Sequence, residues 1–398
     1  MIIIEPLSML ILLIIGYLVY TIDKKKKNIP VPVVLLIIGA LIGFFPGFEG
    51  LELTKDTIFY LFLPALLFIS AYQFQVRELR KHGGEIFLLS TVGIIVTALL
   101  MSILIYYILQ PVLPVSYIEA LLISTILTPT DPVSVVSILK QSSNKQALAS
   151  VVEGESMIND GTSIVLFTLA AGIYFGNESF SITSFSMEFL WVSFGGAVIG
   201  IVFGWLVSKA IHFTYDSRYQ IMLSVILAYG SFYIGEEIGV SGVLATVASG
   251  IMLSFEYERT IKEEHFRKQL DGFWEVIEPT ILTFLFLLIG IKAVEYISFS
   301  LLGWFFFLFI ITLVVRYVII IGVVKIRKTW RRTYGWKEVF ILTLSGIKGT
   351  MSVALLLGME GKGAESIQSI SFAVIMFSLI IQSMAIYPFS KMLFSKRS

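Results

Sequence analysis

Apolar stretches of about 20 residues recur along nearly all of the 398-residue chain, parted by short polar connections. A helix of about 20 apolar residues crosses the hydrocarbon of a bilayer. The pattern predicts about thirteen transmembrane helices, at 2–22, 29–46, 56–75, 85–110, 117–139, 151–175, 185–212, 218–235, 240–255, 273–292, 299–324, 337–359 and 366–391. The second and ninth of these are short. The fold class is therefore an all-α polytopic membrane protein. Composition agrees: 57% of residues are hydrophobic and 14% charged, where a soluble domain carries about 25% charged residues. The first run starts at Met1 with no basic leader and no small-residue cleavage site after it. It is expected to be a retained span rather than a signal peptide. The last run closes shortly before the end, and no soluble C-terminal domain is expected.

The connections alternate sharply in charge. One set holds Lys24–Lys27; Arg77, Arg80 and Lys81; Lys140 and Lys145; Lys209 and Arg218; Arg259, Lys262, Arg267 and Lys268; Lys325, Arg327, Lys328, Arg331, Arg332 and Lys337; and Lys391, Lys396 and Arg397. These are 24 of the 29 Lys and Arg residues; Lys55, Lys292 and Lys362 fall on the other side, and Arg316 and Lys348 lie inside spans. Basic connections stay in the cytoplasm. The expected topology in the plasma membrane has the N-terminus outside and the C-terminus in the cytoplasm. A wrong span count would scramble the alternation. The chain has no cysteine, which excludes disulfides and thiolate metal sites. His82, His212 and His265 lie in or beside charged loops and are expected to be solvated. No Walker motif is present. No enzymatic activity, ATP, cofactor or nucleic-acid partner is expected.

Two places break the apolar pattern. Thr128-Pro129-Thr130-Asp131-Pro132 interrupts the fifth span, and Asp160 lies in the sixth, inside Gly154-Glu155-Ser156-Met157-Ile158-Asn159-Asp160-Gly161. An ionisable residue at membrane depth is costly and marks an ion or proton pathway. Broken helices are tolerated there only where the backbone is buried in protein or lines a cavity. Gly346-Ile347-Lys348-Gly349-Thr350 interrupts the twelfth span in the corresponding way. An offset of seven spans inverts the second break relative to the first, so the pattern predicts inverted repeats with two broken, crossing helices. This is the architecture of a secondary transporter. Facing half-helix ends need compensation; Asp131 suits the N-termini and Lys348 the C-termini. That structural role competes with a direct transport role for both residues.

On a helical sixth span, Ser156 and Asp160 share one face, and Glu155 and Asn159 the adjacent one. The first face offers a hydroxyl and a carboxylate to a hard cation. The second offers a carboxylate that needs a basic partner, and Arg316, deep in the eleventh span, is the natural one. A desolvated carboxylate at Asp160 can hold a proton or a cation but not both, which is antiport in minimal form. Oxygen ligands suit sodium and lithium by extension from hard-cation chemistry, and Thr130 and Ser156 can complete a monovalent-cation shell around Asp160. The competing reading of both hydroxyls is a bond to the preceding helical turn. Gly196, Gly200 and Gly204 form a small-residue ridge for close helix packing. Glu278-Pro279 reads as a kink with a polar residue that can face a cavity. Glu236 and Glu237, at an outer span end, are expected to be solvated.

At these residues a family becomes recognisable. Thr130-Asp131-Pro132, and Glu153-Gly154-Glu155-Ser156 with Asn159-Asp160-Gly161, resemble the signatures of the monovalent cation:proton antiporters, sodium/proton exchangers of the NhaP and NHE type. Ser241-Gly242-Val243-Leu244-Ala245 and Leu63-Pro64-Ala65-Leu66-Leu67-Phe68 resemble further family stretches. The resemblance covers essentially the whole chain. It implies a thirteen-span fold, a six-helix core, a separate dimerisation domain, homodimers and elevator-like alternating access. On this basis 85–175 and 299–391 are the halves of the ion-transport core, and 1–75 and 185–292 are mainly scaffold. The family's ion-binding aspartate corresponds to Asp160, its unwound-helix threonine and aspartate to Thr130 and Asp131, its serine to Ser156, and its structural ion pair to Glu155 and Arg316. The Asn159-Asp160 pair resembles the electroneutral branch, which exchanges one cation for one proton, and with Ser156, Thr130 and Asp131 it makes up the expected cation- and proton-binding set; a role of Asn159 in setting the ratio is a separate expectation. Two positions depart from the pattern. Ile69 stands where many relatives carry a glutamate near the ion path. Lys348 stands where they carry arginine, which keeps the charge but loses the planar fork.

The expected function is secondary-active electroneutral exchange of a monovalent cation, sodium first and lithium also, for a proton. Potassium and organic cations are alternatives within the class. A cation channel or an ion sensor is the alternative outside it; a channel would need a carbonyl-filter sequence, and none appears, and a sensor would need an output domain, which is not expected here.

Overall fold

The computed structural model describes residues 6–26, 30–45, 48, 54–132, 135–136, 139, 146–176, 182–212, 216–259, 264–296, 301–359 and 364–394. Residues 1–5 of the first apolar run, the loop charges Lys27, Lys140, Lys145, Lys262, Lys362, Lys396 and Arg397, and the side chains of His212 and His265 lie outside the described residues. The elements are α1 (Pro6–Lys26), α2 (Val31–Ile42), α3 (Thr57–Gln73), α4 (Val76–Leu109), α5 (Tyr117–Ile126), α6 (Gln146–Gly176), α7 (Ile182–His212), α8 (Ser217–Ile238) and α9 (Gly242–Arg259). They continue with α10 (Glu264–Tyr296), α11 (Leu302–Ile326), the short α12 (Lys328–Thr333), α13 (Trp336–Leu344) and α14 (Thr350–Leu357). Last comes α15, which runs as Ala364–Phe377, a π-helical turn Ser378–Gln382, and Ser383–Phe394. No strand occurs among the described residues.

Each predicted apolar stretch contains helix. Eight helices (α1, α4, α6, α7, α8, α10, α11 and α15) are long and apolar enough to cross a membrane. The apolar α2, α3 and α5 are shorter. Large apolar side chains cover the outer surface: Trp191 is 70% exposed and Phe194 72%. Such a shell is stable in lipid and not in water, as in a multi-pass membrane protein.

Helix α4 begins at Val76, well before the expected 85. Its first turns are amphipathic and so escape a hydropathy reading: Arg77 and Lys81 are exposed, while Val76, His82 and Ile86 are buried. This corrects the expectation of a solvated His82. The imidazole is 6% exposed and lies 3.8 Å from a Glu78 carboxylate oxygen and 3.7 Å from one of Glu85. It is buried because it follows Leu79 and precedes Ile86 on the inward face.

The glycine ridge packs as expected. Gly196 faces the Ser241 carbonyl, Gly200 the Ala245 carbonyl, and a Cβ on Gly204 would stand 2.9 Å from Met252 Cβ. Helices α7 and α9 therefore meet backbone to backbone, which larger side chains forbid. A second such contact joins α2 to α10, where a Cβ on Gly290 would stand 2.9 Å from the Gly39 Cα. Helix α3 lies against both pairs. A Cβ on Gly250 of α9 would stand 2.8 Å from Ala71 Cβ, and the Phe68 ring is 5.4 Å from Trp274 of α10.

Candidate functional site

Helix α5 starts at a capping box in which Glu119 N–H donates to Ser116 Oγ at 3.3 Å and Ser116 N–H to the Glu119 carboxylate at 2.7 Å. It stops at Ile126. Pro129 and Pro132 donate no hydrogen bond and disfavour helix in the residue before them, so Leu127–Pro132 runs unwound. Helical bonding resumes where Val135 and Val136 N–H groups each reach the Pro132 carbonyl at 2.9 Å. On the other side α13 ends at Leu344, Ser345–Gly349 is irregular, and α14 starts at Thr350.

The two breaks touch. Asp131 N–H donates to the Ile347 carbonyl at 2.7 Å, and Thr350 N–H, at the start of α14, donates to Asp131 Oδ2 at 3.3 Å. Gly349 leaves room for that carboxylate, since a Cβ there would stand 2.7 Å from Asp131 Cγ. Asp131 thus sits at a helix N-terminus, where negative charge is favoured. Lys348 is 5% exposed. Its N–H donates to Ser378 Oγ at 2.8 Å, Ser378 donates to Gln382 Oε1 at 2.5 Å, and Gln382 Nε2 donates to the Leu344 carbonyl at 3.0 Å. The last carbonyl of α13 is therefore satisfied by Gln382 from the π-helical turn of α15. Sequence reasoning missed this residue; its signal was the pair Ser378 and Gln382, one turn apart in an otherwise apolar run.

Helix α6 supports the first break. Ser156 Oγ donates to the Thr130 carbonyl. Asn159 Nδ2 donates to Thr130 Oγ1 at 2.8 Å and to Glu155 Oε1 at 3.4 Å. Both hydroxyls bond between elements rather than to their own preceding turn. Glu155 takes a two-pronged ion pair from Arg316, at 2.9 and 2.7 Å, with side chains 3% and 12% exposed. Arg316 Nε reaches the Leu342 carbonyl at 3.3 Å. Gly346 makes space for the guanidinium, because a Cβ there would stand 2.7 Å from Arg316 Cζ. One arginine thereby ties α6, α11 and the end of α13 together.

Asp160, Asp131 and Ser156 open onto a cavity of about 290 Å³ that Glu153, Glu278 and Gln73 also line. No Lys or Arg is among its described lining residues. Asp160 Oδ1 is buried and accepts no hydrogen bond within the protein. A buried carboxylate oxygen without a donor is costly unless a proton or a cation takes the place of that donor. Thr130 and Asn159 are among the residues that sequence reasoning assigned to the ion shell. They are 3% and 0% exposed and stand behind the cavity wall. Ile69 is 1% exposed and does not line the cavity, whereas Leu66, Leu67 and Ser70 on the same helix do. Glu278 lines it from α10.

The sequence model described as "Sodium/hydrogen exchanger, transmembrane" matches residues 9–392, a range that holds every residue of this site. The chain belongs to the sodium/hydrogen exchanger family. It is 30% identical over 382 residues to the Na(+)/H(+) antiporter NhaG of Bacillus atrophaeus, covering 92% of this chain and 70% of that protein. It is 29% identical over 401 residues to the Na(+)/H(+) antiporter NhaH of Halobacillus aidingensis, covering 97% of each. Among solved structures it is similar to the sodium proton antiporter MjNhaP1 from Methanocaldococcus jannaschii, with a TM-score of 0.77 and 20% identity over 97% of this chain and 96% of that one. This last likeness is one of fold. Within this exchanger fold the two breaks meet beside α6, against the cavity that Asp160 lines.

Proposed function

We propose that this exchanger moves a monovalent cation, sodium or lithium, against a proton, with Asp160 as the shared site. The observation that carries the reading is the buried, unpartnered Oδ1 of Asp160, a residue that lines a cavity among the apolar helices. Ser156 completes the site. Its O–H points at the Thr130 carbonyl, which leaves the oxygen lone pairs available to a cation. Thr130 and Asn159 hold the unwound segment from behind. Glu155 is committed to Arg316 and Asn159 does not titrate, so within Glu155–Asp160 only Asp160 offers an exchangeable proton. This favours electroneutral exchange.

The cavity reaches toward Gln73, at the end of α3, and Glu153, two turns into α6, on the side of the basic connections. With those connections cytoplasmic, the arrangement is inward-facing. Exposure to the other side then requires α4–α6 with α11–α15 to move as a core against α1–α3 and α7–α10, in a homodimer in the plasma membrane. The test is reconstitution in liposomes carrying a pH dye, with sodium, lithium, potassium or choline gradients and the voltage held at zero. Sodium- and lithium-dependent proton movement is expected. Its absence with every cation, from folded protein, rejects the reading; movement with choline alone favours organic-cation exchange.

Glu278 is expected to recruit the cation rather than carry it. A unit charge across a solvated cavity contributes on the order of 1 kcal/mol. Glu278→Gln should therefore raise the KM for sodium about fivefold and leave kcat within about twofold. An unchanged KM would show that Glu278 serves only the Pro279 kink.

A further inference from the structure

The connection with the most basic residues lies away from the ion cavity. Six basic residues, Lys325, Arg327, Lys328, Arg331, Arg332 and Lys337, fall between positions 325 and 337, and Glu338 is the sole acidic residue from 296 to 340. Glu338 is occupied at a helix start, where its carboxylate accepts from Gly335 N–H at 2.9 Å. The segment leaves the apolar α11, forms the short α12, and re-enters through α13. It therefore lies at the level where helices meet the membrane surface. Two aromatic side chains mark that level. Trp336, at the start of α13, is 65% exposed, as suits a ring in the lipid interface. Trp330 is 5% exposed and anchors α12 against α4, with its Cζ2 only 3.1 Å from where a Cβ on Gly84 would stand.

The anchor arranges the charges. Arg327 lies over the Trp330 ring with Cζ 5.0 Å from its centroid. Arg331 folds back, and its Nε donates to the Lys325 carbonyl at 2.8 Å. Lys337 caps the end of α15 through the Leu393 carbonyl at 2.9 Å. Lys325, in the last turn of α11, and Lys328 and Arg332, on the short α12 that the buried tryptophan holds in place, remain exposed. A preorganised set of ammonium and guanidinium groups at headgroup depth suits a phosphate ester.

The geometry points to an anionic-phospholipid site on this turn: the headgroup phosphate binds Lys325, Lys328 and Arg332, with its acyl chains along α11. Basic clusters that emerge directly from a membrane helix attract anionic lipid, each charge adding about a fivefold gain. The turn joins α11, which bears Arg316, to α13, whose end precedes Lys348. A lipid held here binds the part of the protein that frames the second break.

Native mass spectrometry of detergent-purified protein, incubated with equimolar phosphatidylglycerol and phosphatidylcholine, tests this. Wild type is expected to retain phosphatidylglycerol in preference. Lys328→Gln with Arg332→Gln should weaken that binding about 20-fold, and the charge-preserving pair Lys328→Arg with Arg332→Lys should restore it. Lys24→Gln with Lys25→Gln, at the end of α1, is the control and should weaken binding by no more than about fivefold, clearly less than the pair on the turn. Equal retention of the two lipids, or an unchanged double variant, overturns the proposal. An equal loss in the control pair also overturns it, because binding would then follow total charge rather than this turn.

Discussion

Asp160→Asn is expected to abolish cation-driven proton movement while leaving the fold intact. The substitution keeps the size of the side chain. On the proposed mechanism it removes both the charge that would hold a cation and the group that would exchange a proton. Loss of a charged ligand in a desolvated site is worth at least about 3 kcal/mol, so exchange should fall more than about 100-fold. Stability should follow the opposite logic. Asp160 Oδ1 accepts no hydrogen bond in the folded protein, so the variant breaks no internal contact at that oxygen and relieves the burial of a carboxylate. Its thermal midpoint should equal or exceed that of wild type. Liposome flux and thermal unfolding, measured on the same preparation, check the pair of expectations. Flux above a tenth of wild type would move the shared site elsewhere. A sharp drop in the midpoint would show that Asp160 has a structural role.

Glu155→Gln should give the inverse result, a large loss of stability. The Arg316 guanidinium makes two charge-assisted bonds to Glu155 and a third to the Leu342 carbonyl. A neutral amide in place of the carboxylate would leave a buried cation uncompensated, at a cost of about 3–5 kcal/mol. It would also disturb Asn159, which donates to both Glu155 and Thr130, and through it the unwound segment. Arg316→Met alone should cost a similar amount, because Glu155 then loses its counter-charge. The double variant Glu155→Gln with Arg316→Met should recover much of the loss, since no buried charge remains. Thermal unfolding of the four proteins in detergent reads this directly. Single variants as stable as wild type would show that the pair is solvated and dispensable.

The contrast between Asp160 and Glu155 shows what could be read from the chain. Both carboxylates were visible as ionisable residues in an apolar run, and helical periodicity put them on adjacent faces. The bond between Glu155 and Arg316 spans 161 positions in sequence. It was inferable because each charge would be prohibitive alone. Gln382 was not inferable in the same way. A neutral amide carries no such penalty, and nothing local to residues 378–382 says that the carbonyl it serves belongs to Leu344. His82 and the early start of α4 were missed for a third reason. Hydropathy registers average polarity, whereas burial of an amphipathic turn depends on which face meets a neighbour.

What the sequence by itself determined is whatever follows from solvent and covalent geometry. Hydrocarbon demands helices of a certain length, proline removes a donor wherever it falls, and a carboxylate in lipid must have a purpose. Those three facts, with the glycines that flank Lys348, are enough for the all-helical membrane fold, the two breaks and the candidate site residues. Only the tertiary structure decided which of those residues are bound by the protein and which is left open. Thr130 and Asn159 are turned into each other, Ser156 donates to the Thr130 carbonyl, and Glu278 reaches the cavity from α10. Among the described residues proposed for the ion shell, Asp160 alone keeps a buried side-chain oxygen without a donor. A hydrogen bond is satisfied by whichever group lies within about 3 Å, and that neighbour is set by packing between helices far apart in the chain.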